Sequence, residues 1–569
     1  TSFIMSGGTL QVPVRTASFT ANGSATKAIT STGSIDATLV RGGNSGEVSI
    51  VEGTLELRTN GVAIKTRTNF NISARIDARG ANLATIEAPD ANCPSPFVCG
   101  IVVSEGVDPY GPAMEGVTLT ASKITFTNDS TLALRQGTWK PSAATRVVSV
   151  NGADGVLETG SAFPTDQDVP EQEVQLPTAM TLDGATWKHV SGMLVAARPA
   201  AISPGMASGE FIWSGGTLQG RLATKTVAGK FVSAVLAAEG DGDLLIDAPS
   251  RGGGNLTIEG GGEITAGTTL TLDDASTLDS KSPAATPFIQ RAESTITTLA
   301  PGSRTPKVTN SGAWTVGSDD TAKAAVIDSV PFVSSSSLEL QASAILSLSG
   351  GSGHSVSGAT RVLIDSAEQF GRIELADGAP IRLAGTLTAV VSPSAGLASG
   401  DDMLVVGGVD DQPATITGTF SSVAVSGTLA AGIGLSGEIA EAGYVLSAAA
   451  AEELSLTATA ASRIRVRTPW TVTYVITNKA AIEVTPTLNL PTSRVWTVTE
   501  PAGATCTEVR VTLACELAPI PAGGQTSVTA SFTFTKPGRA RIPANVTSPG
   551  YNPNPNGAKV QSTVNVTAR

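Results

Sequence analysis

The first 369 residues are written in strands too short to stand alone. Val, Ile, Leu and Thr recur in alternating runs of three to six residues, broken by Gly, Asn, Asp or Ser, with almost none of the 3.6-residue apolar periodicity of a helix. The clearest stretch, Asn255 to Ser280, alternates Leu256, Ile258, Ile264, Leu270, Leu272 and Leu278 with polar neighbours, which predicts short strands turning Leu and Ile inward and Thr and Glu outward. One turn of such strands cannot bury its apolar face, whereas turns stacked on one another can. The phrase SGGTLQ occurs at Ser6 to Gln11 and again at Ser214 to Gln219, and looser echoes stand at Asn128 to Leu134 and Ser335 to Ala342. This irregular repetition predicts an elongated parallel β-solenoid over 1–369. At roughly 20 to 25 residues per coil it would hold on the order of 15 coils and extend about 70 Å.

A chain of 569 residues exceeds one ordinary globular core, a bound that a solenoid satisfies. Charged residues are only 15% of the sequence and the net charge is -12, so phosphate backbones would repel it; no Lys/Arg cluster is present, and nucleic acid is excluded as an expected partner. No apolar run approaches the roughly 20 residues of a membrane-spanning helix. The first residue, Thr1, fits a mature product after signal-peptide removal. The four cysteines form two close pairs, Cys93 with Cys99 and Cys506 with Cys515, which predicts two local disulfides and an oxidising compartment. Neither pair has a second Cys or His pair near it, so no zinc site is expected. The Pro-rich or acidic stretches 93–99 and 164–177 read as lateral loops.

After residue 369 the pattern changes. The text GRIELADGAPIRLAGTLTAVVSPSAGLASGDDMLVVGG, then GTF at Gly418 to Phe420 and GYVLSA at Gly443 to Ala448, resembles the C-terminal capping region of autotransporter-type passenger solenoids, over about 80 residues. The resemblance implies a β-rich cap and linker over 370–453 that closes the open end of a β-helix. Residues 454–569 resemble the bacterial Ig-like repeat called DUF11, through WTVTYVITN at Trp470 to Asn478, the Cys506 to Cys515 hairpin, the turn at Ala522 to Gly524 and the closing stretch Asn552 to Ala568. It implies an Ig-like β-sandwich of a secreted surface protein. Where the family has Asp in its closing turn, Asn552 stands here. The expected fold class is thus all-β: solenoid, cap and sandwich in that order.

Parallel β-helices include pectin-degrading enzymes, and GSDD at Gly317 to Asp320 with GSGHSVSG at Gly351 to Gly358 superficially resembles polygalacturonase motifs. An inverting glycosidase needs an acid and a base across one sugar. Asp319 and Asp320, as strand neighbours, would face opposite ways, and the two motifs lie over 30 residues apart where that family expects adjacent coils. The pairs Asp273-Asp274, Asp401-Asp402 and Asp410-Asp411 read as Asx turns. His189 and His354 read as surface or turn residues without a partner triad, and the six tryptophans as core residues rather than a sugar platform. No catalytic residue, cofactor-binding residue or metal ligand is nominated; the expected site residues are the disulfide cysteines Cys93, Cys99, Cys506 and Cys515.

The expected function is that of a secreted, bacterial, non-enzymatic surface protein without cofactor that assembles with itself into a filament or matrix fibre. A host- or matrix-binding adhesin is the alternative, with a surface or matrix component as partner, and a polysaccharide hydrolase or lyase the second alternative.

Overall fold

The computed structural model describes residues 2–568 apart from short stretches, the longer being 31–34, 79–83, 88–99, 105–111, 140–143, 151–154, 161–172, 240–243, 248–253, 300–304, 318–322 and 500–503. Among the described residues every helix-or-strand element is a strand. The chain divides into two units: Thr1–Val362 with Gly371–Leu387 and Val406–Ser422, and Leu363–Phe370 with Thr388–Val405 and Val423–Arg569. The segment 370–453 is therefore shared between them.

In the first unit, strands pair in parallel with strands one coil-length away rather than with their sequence neighbours. Asn71 lies opposite Ser49 and Asn255 opposite Thr277, each 22 residues apart; Asn310 and Ser334 are 24 apart, Gln219 and Asp247 28, Thr159 and His189 30. The interval varies but the register does not drift. It cannot, because a slip of one residue would turn every inward side chain outward.

Strict registration makes columns of like side chains. Leu256, Leu278, Val308 and Phe332 follow one another from strand to strand, all fully buried. A second column runs Leu157, Trp187, Phe211, Ala234, Gly262, Phe288, Trp314, Leu338. Its aromatic groups meet at 4.9 Å between ring centroids for Trp187 with Phe211 and for Phe288 with Trp314. Ala234 and Gly262 separate the two clusters, and a Cβ on Gly262 would stand 2.0 Å from the Ala234 carbonyl oxygen, so backbones approach closely where side chains are small. Each buried Leu, Ile or Phe contributes about 1.5–3 kcal/mol of transfer free energy.

The corners carry a repeat that the strands conceal. The turns 265–268, 273–276, 291–294, 341–344 and 376–379 are each closed by an N–H to C=O bond across four residues. Their third residues, Gly267, Ala275, Glu293, Ser343 and Gly378, all have positive φ, between 60° and 75°. Three of the five are not glycine, and such residues sit in the left-handed region at a cost. The two copies of SGGTLQ also share a conformation: Gly8 (φ 87°) and Gly216 (φ 88°) open the strands Gly8–Leu10 and Gly216–Thr224.

In the second unit, Ile433–Ile439 and Gly443–Ala450 form an antiparallel hairpin. Residues 454–569 form two facing sheets. One holds Leu454–Ala460, Pro469–Asn478, Gln525–Phe534 and Trp496–Thr499; the other holds Arg463–Arg465, Lys559–Thr567, Gly538–Thr547, Thr487–Pro491, Thr512–Glu516 and Thr505–Val509. Pairing is antiparallel except between Arg463–Arg465 and Lys559–Thr567. Trp470, Tyr474, Ile476, Leu488, Phe532 and Ile542 supply the centre of the core between the sheets.

Candidate ligand crevices and buried polar groups

The histidines are buried, which corrects the expectation of surface or turn positions. The alternation in Thr186–His189 carries both Trp187 and His189 inward, each 0% exposed. The Thr159 hydroxyl joins them: the Trp187 indole N–H donates to it at 3.0 Å, and it donates to His189 Nδ1 at 2.9 Å. The proton of the ring therefore sits on Nε2, which faces the Gly192 backbone at the margin of hydrogen-bonding geometry. Burial pushes the imidazole down to about 4, so it is neutral at pH 7. His354 is also neutral in character: Phe332 N–H donates to Nδ1 at 3.2 Å, Nε2 donates to the Gly350 carbonyl at 3.1 Å, and burial lowers its pKa. Both rings spend their nitrogens on the stack.

Two further buried groups escaped the sequence reading because each is a polar residue in a strand pattern that says only inside or outside. Lys27 is fully buried in the first unit, with its ammonium donating to the carbonyls of Gly23 (2.6 Å), Ala25 (2.7 Å), Glu52 (2.9 Å) and Asn22 (3.3 Å). Burial lowers its pKa and the nearby Glu52 charge opposes that. Asp183, 6% exposed, accepts from the Ala207 N–H at 2.8 Å and from the Arg146 guanidinium. Burial raises the carboxyl's pKa, but those donors and the backbone of Met206 outweigh it and hold it low.

In the sandwich the equivalent group is Asn478, fully buried. Its Nδ2 donates to the carbonyls of Ile482 (2.7 Å), Ile520 (2.9 Å) and Pro521 (3.1 Å), and its Oδ1 accepts from Ala480 N–H (2.9 Å). Cys506 and Cys515 face each other across the antiparallel strands Thr505–Val509 and Thr512–Glu516 and form a disulfide, consistent with an oxidising, extracellular setting. Cys93, Cys99, Asp274, Asp319, Asp320, Asp410 and Asp411 lie outside the described residues, as do the stretch 93–99 and most of 164–177. Asp401 accepts from the Ala398 N–H at 2.8 Å in a turn. Trp139, Trp187, Trp213, Trp314 and Trp470 are core residues. Among the described residues no group of three or more His, Cys, Asp and Glu could hold a metal ion, and no helix is long and apolar enough to cross a membrane.

Two crevices remain. In the first unit, one of about 420 Å³ lies over Arg221, Asn255, Thr257 and Thr277, beside the register shift between Ala196 and Ala200. Its polar groups are largely committed to one another: Asn255 Nδ2 donates to Thr277 Oγ1, and Thr257 Oγ1 donates to Asn255 Oδ1 at 2.6 Å. In the sandwich, a crevice of about 600 Å³ opens on the outer face between Pro491 and Pro543, rimmed by Asn489, Asn545, Lys559 and Gln561.

No family model and no curated protein matches this chain. Among solved structures, it is similar to the CARDB domain of a Pyrococcus furiosus protein at 16% identity, covering 21% of this chain and 96% of that one with a TM-score of 0.16. It is similar to a cohesin module of a family 33 glycoside hydrolase from Clostridium perfringens at 12% identity, covering 21% and 99% with a TM-score of 0.17. A secreted serine protease of Vibrio cholerae, VesC, shares 14% identity over 23% of this chain and 28% of its own, with a TM-score of 0.15. At those scores none of the three bears on what this chain does.

Proposed function

We propose that this chain is a non-enzymatic structural protein of the bacterial cell exterior, a parallel β-solenoid followed by a β-rich cap and a DUF11-type Ig-like sandwich, which assembles with itself. The solenoid reading is supported by the parallel, in-register pairing of strands 22 to 30 residues apart. Buried polar groups such as Lys27, His189 and His354 are engaged in tying neighbouring strands, a use that suits a load-bearing stack.

The observation that carries self-assembly is the first coil. Among the described residues its strands Ser2–Met5, Gly8–Leu10 and Val14–Arg15 each have a sheet neighbour on one side. Ile4 and Val12 there are 63% and 62% exposed. An unpaired strand edge with exposed apolar residues is a template for another strand, and a head-to-tail contact that does not close grows into a filament. Sedimentation velocity and electron microscopy of the purified chain over a range of concentrations test this. Filaments, or an oligomer that Ile4→Lys with Val12→Lys disperses, are expected. A strict monomer at the highest attainable concentration sinks the assembly reading.

A further inference from the structure

The larger sheet of the sandwich forks at one place, and two prolines account for it. Thr487–Pro491 and Gly538–Thr547 pair through Thr487 with Thr547, Leu488 with Val546 and Asn489 with Asn545. They then part. Leu490 and Pro491 stay with Leu513 and Thr512, while Ala544 and Pro543 stay with Val560 and Gln561. Continuing the register would set Pro491 opposite Pro543.

The hydrogen-bond phase shows what that pairing would have lacked. Thr492 N–H donates to Val511 and Val546 N–H to Ala558, both away from the fork. Backbone groups alternate sides along a strand, so Asn489 and Asn545 point theirs at each other, and so would residues 491 and 543. This would be a mutually bonded pair, and both of its nitrogens belong to proline. With neither bond available the ladder stops and the crevice opens.

We propose that this crevice is a saccharide-binding site. Its backbone walls at positions 491 and 543 have no N–H to donate, so an extended peptide, which needs donors as well as acceptors from a sheet edge, is poorly served. A polyol brings its own hydroxyl donors and acceptors. Asn545, Gln561 and Lys559 supply amide and ammonium groups at the rim, and among the described residues these three side chains hold no hydrogen bond or ion pair. Two proline rings and the Leu490 and Ala544 floor offer C–H surface to the apolar face of a sugar ring. The volume, about 600 Å³, falls in the usual range for small-ligand sites. This assignment is independent of self-assembly and survives a monomeric chain.

The test is saturation-transfer NMR and calorimetry on the full chain with galactose, N-acetylglucosamine and cellobiose, alongside an extended threonine-rich peptide. At least one saccharide binds. Pro491→Val with Pro543→Val supplies the missing N–H groups, lets the ladder advance one pair, and weakens binding by about tenfold or more, with no loss of melting temperature. Gln561→Trp fills the crevice without altering the backbone and has the same effect on binding. Silence from all three sugars, sugar binding untouched by both variants, or peptide binding in place of sugar overturns the assignment.

Discussion

The parallel stack and the sandwich bury similar side chains but distribute their stability differently. In the stack, a strand's partners lie 22 to 30 residues away, and each coil repeats the contacts of the one before it. In the sandwich, Pro469 pairs with Thr533 and Thr487 with Thr547, so long loops must close before any pairing pays back their entropy. Polar groups follow the same division. Asn310 in the stack bonds Ser334 Oγ at 2.9 Å and the Ser337 carbonyl at 2.8 Å, serving one neighbouring coil. Asn478 alone satisfies three carbonyls and one N–H that hold two separate loops. A repeated architecture spreads its dependence, and a single-core architecture concentrates it.

The sharpest way to break this comparison is to remove both asparagines. Asn478→Ala orphans three buried carbonyls and is expected to cost about 4 kcal/mol, with Asn310→Ala costing about half as much. Chemical denaturation of each variant measures both, and equal losses would abolish the distinction. The next effect in size is a pH dependence confined to the stack. His189 titrates near 4 when folded and near 6.5 when unfolded, so the unfolded chain takes up the proton first as pH falls. Its contribution is complete above pH 6.5 and is lost between there and 4, by about 3 kcal/mol. His354 shifts the same way. Melts from pH 8 to 4 should show this slope, and His189→Gln should flatten part of it while leaving the sandwich transition alone.

A smaller effect is expected from the disulfide. It closes a separation of 9 residues, and Cys506→Ser with Cys515→Ser should lower sandwich stability by about 2 kcal/mol without changing the melting of the stack. The smallest effects belong to the corners. Ala275→Gly, Glu293→Gly and Ser343→Gly each relieve a left-handed residue and should stabilise the stack by about 0.5–1 kcal/mol apiece. A loss at all three would mean that these side chains carry contacts worth more than the strain.

Strand existence and facing were legible because period two is written plainly: Leu256, Ile258, Leu270, Leu272 and Leu278 are all inward, as the alternation requires. The same alternation was not trusted for His189, where a polar residue in an inward slot was read by its chemistry and placed at the surface. Lys27, Ser280 and Asn310 occupy inward slots too, and nothing in a binary pattern distinguishes a satisfied polar group from an error of phase. The corner repeat was hidden for another reason. Gly, Ala, Glu and Ser share the left-handed position, so what recurs there is a backbone angle and no residue type. The fork at Pro491 and Pro543 was unreadable because it depends on two residues 52 positions apart falling into one register, which only the folded chain discloses.

One property of the stack bears on how such a sequence can change over generations. The columns stay aligned whether 22 or 30 residues separate successive members, so the surplus is accommodated in the connections between strands. Insertions and deletions there alter nothing in the interior, while a change of one residue within a strand inverts its facing. Length variation among descendants of this chain should therefore concentrate between strands, and new surface loops can be acquired or discarded without renegotiating the core.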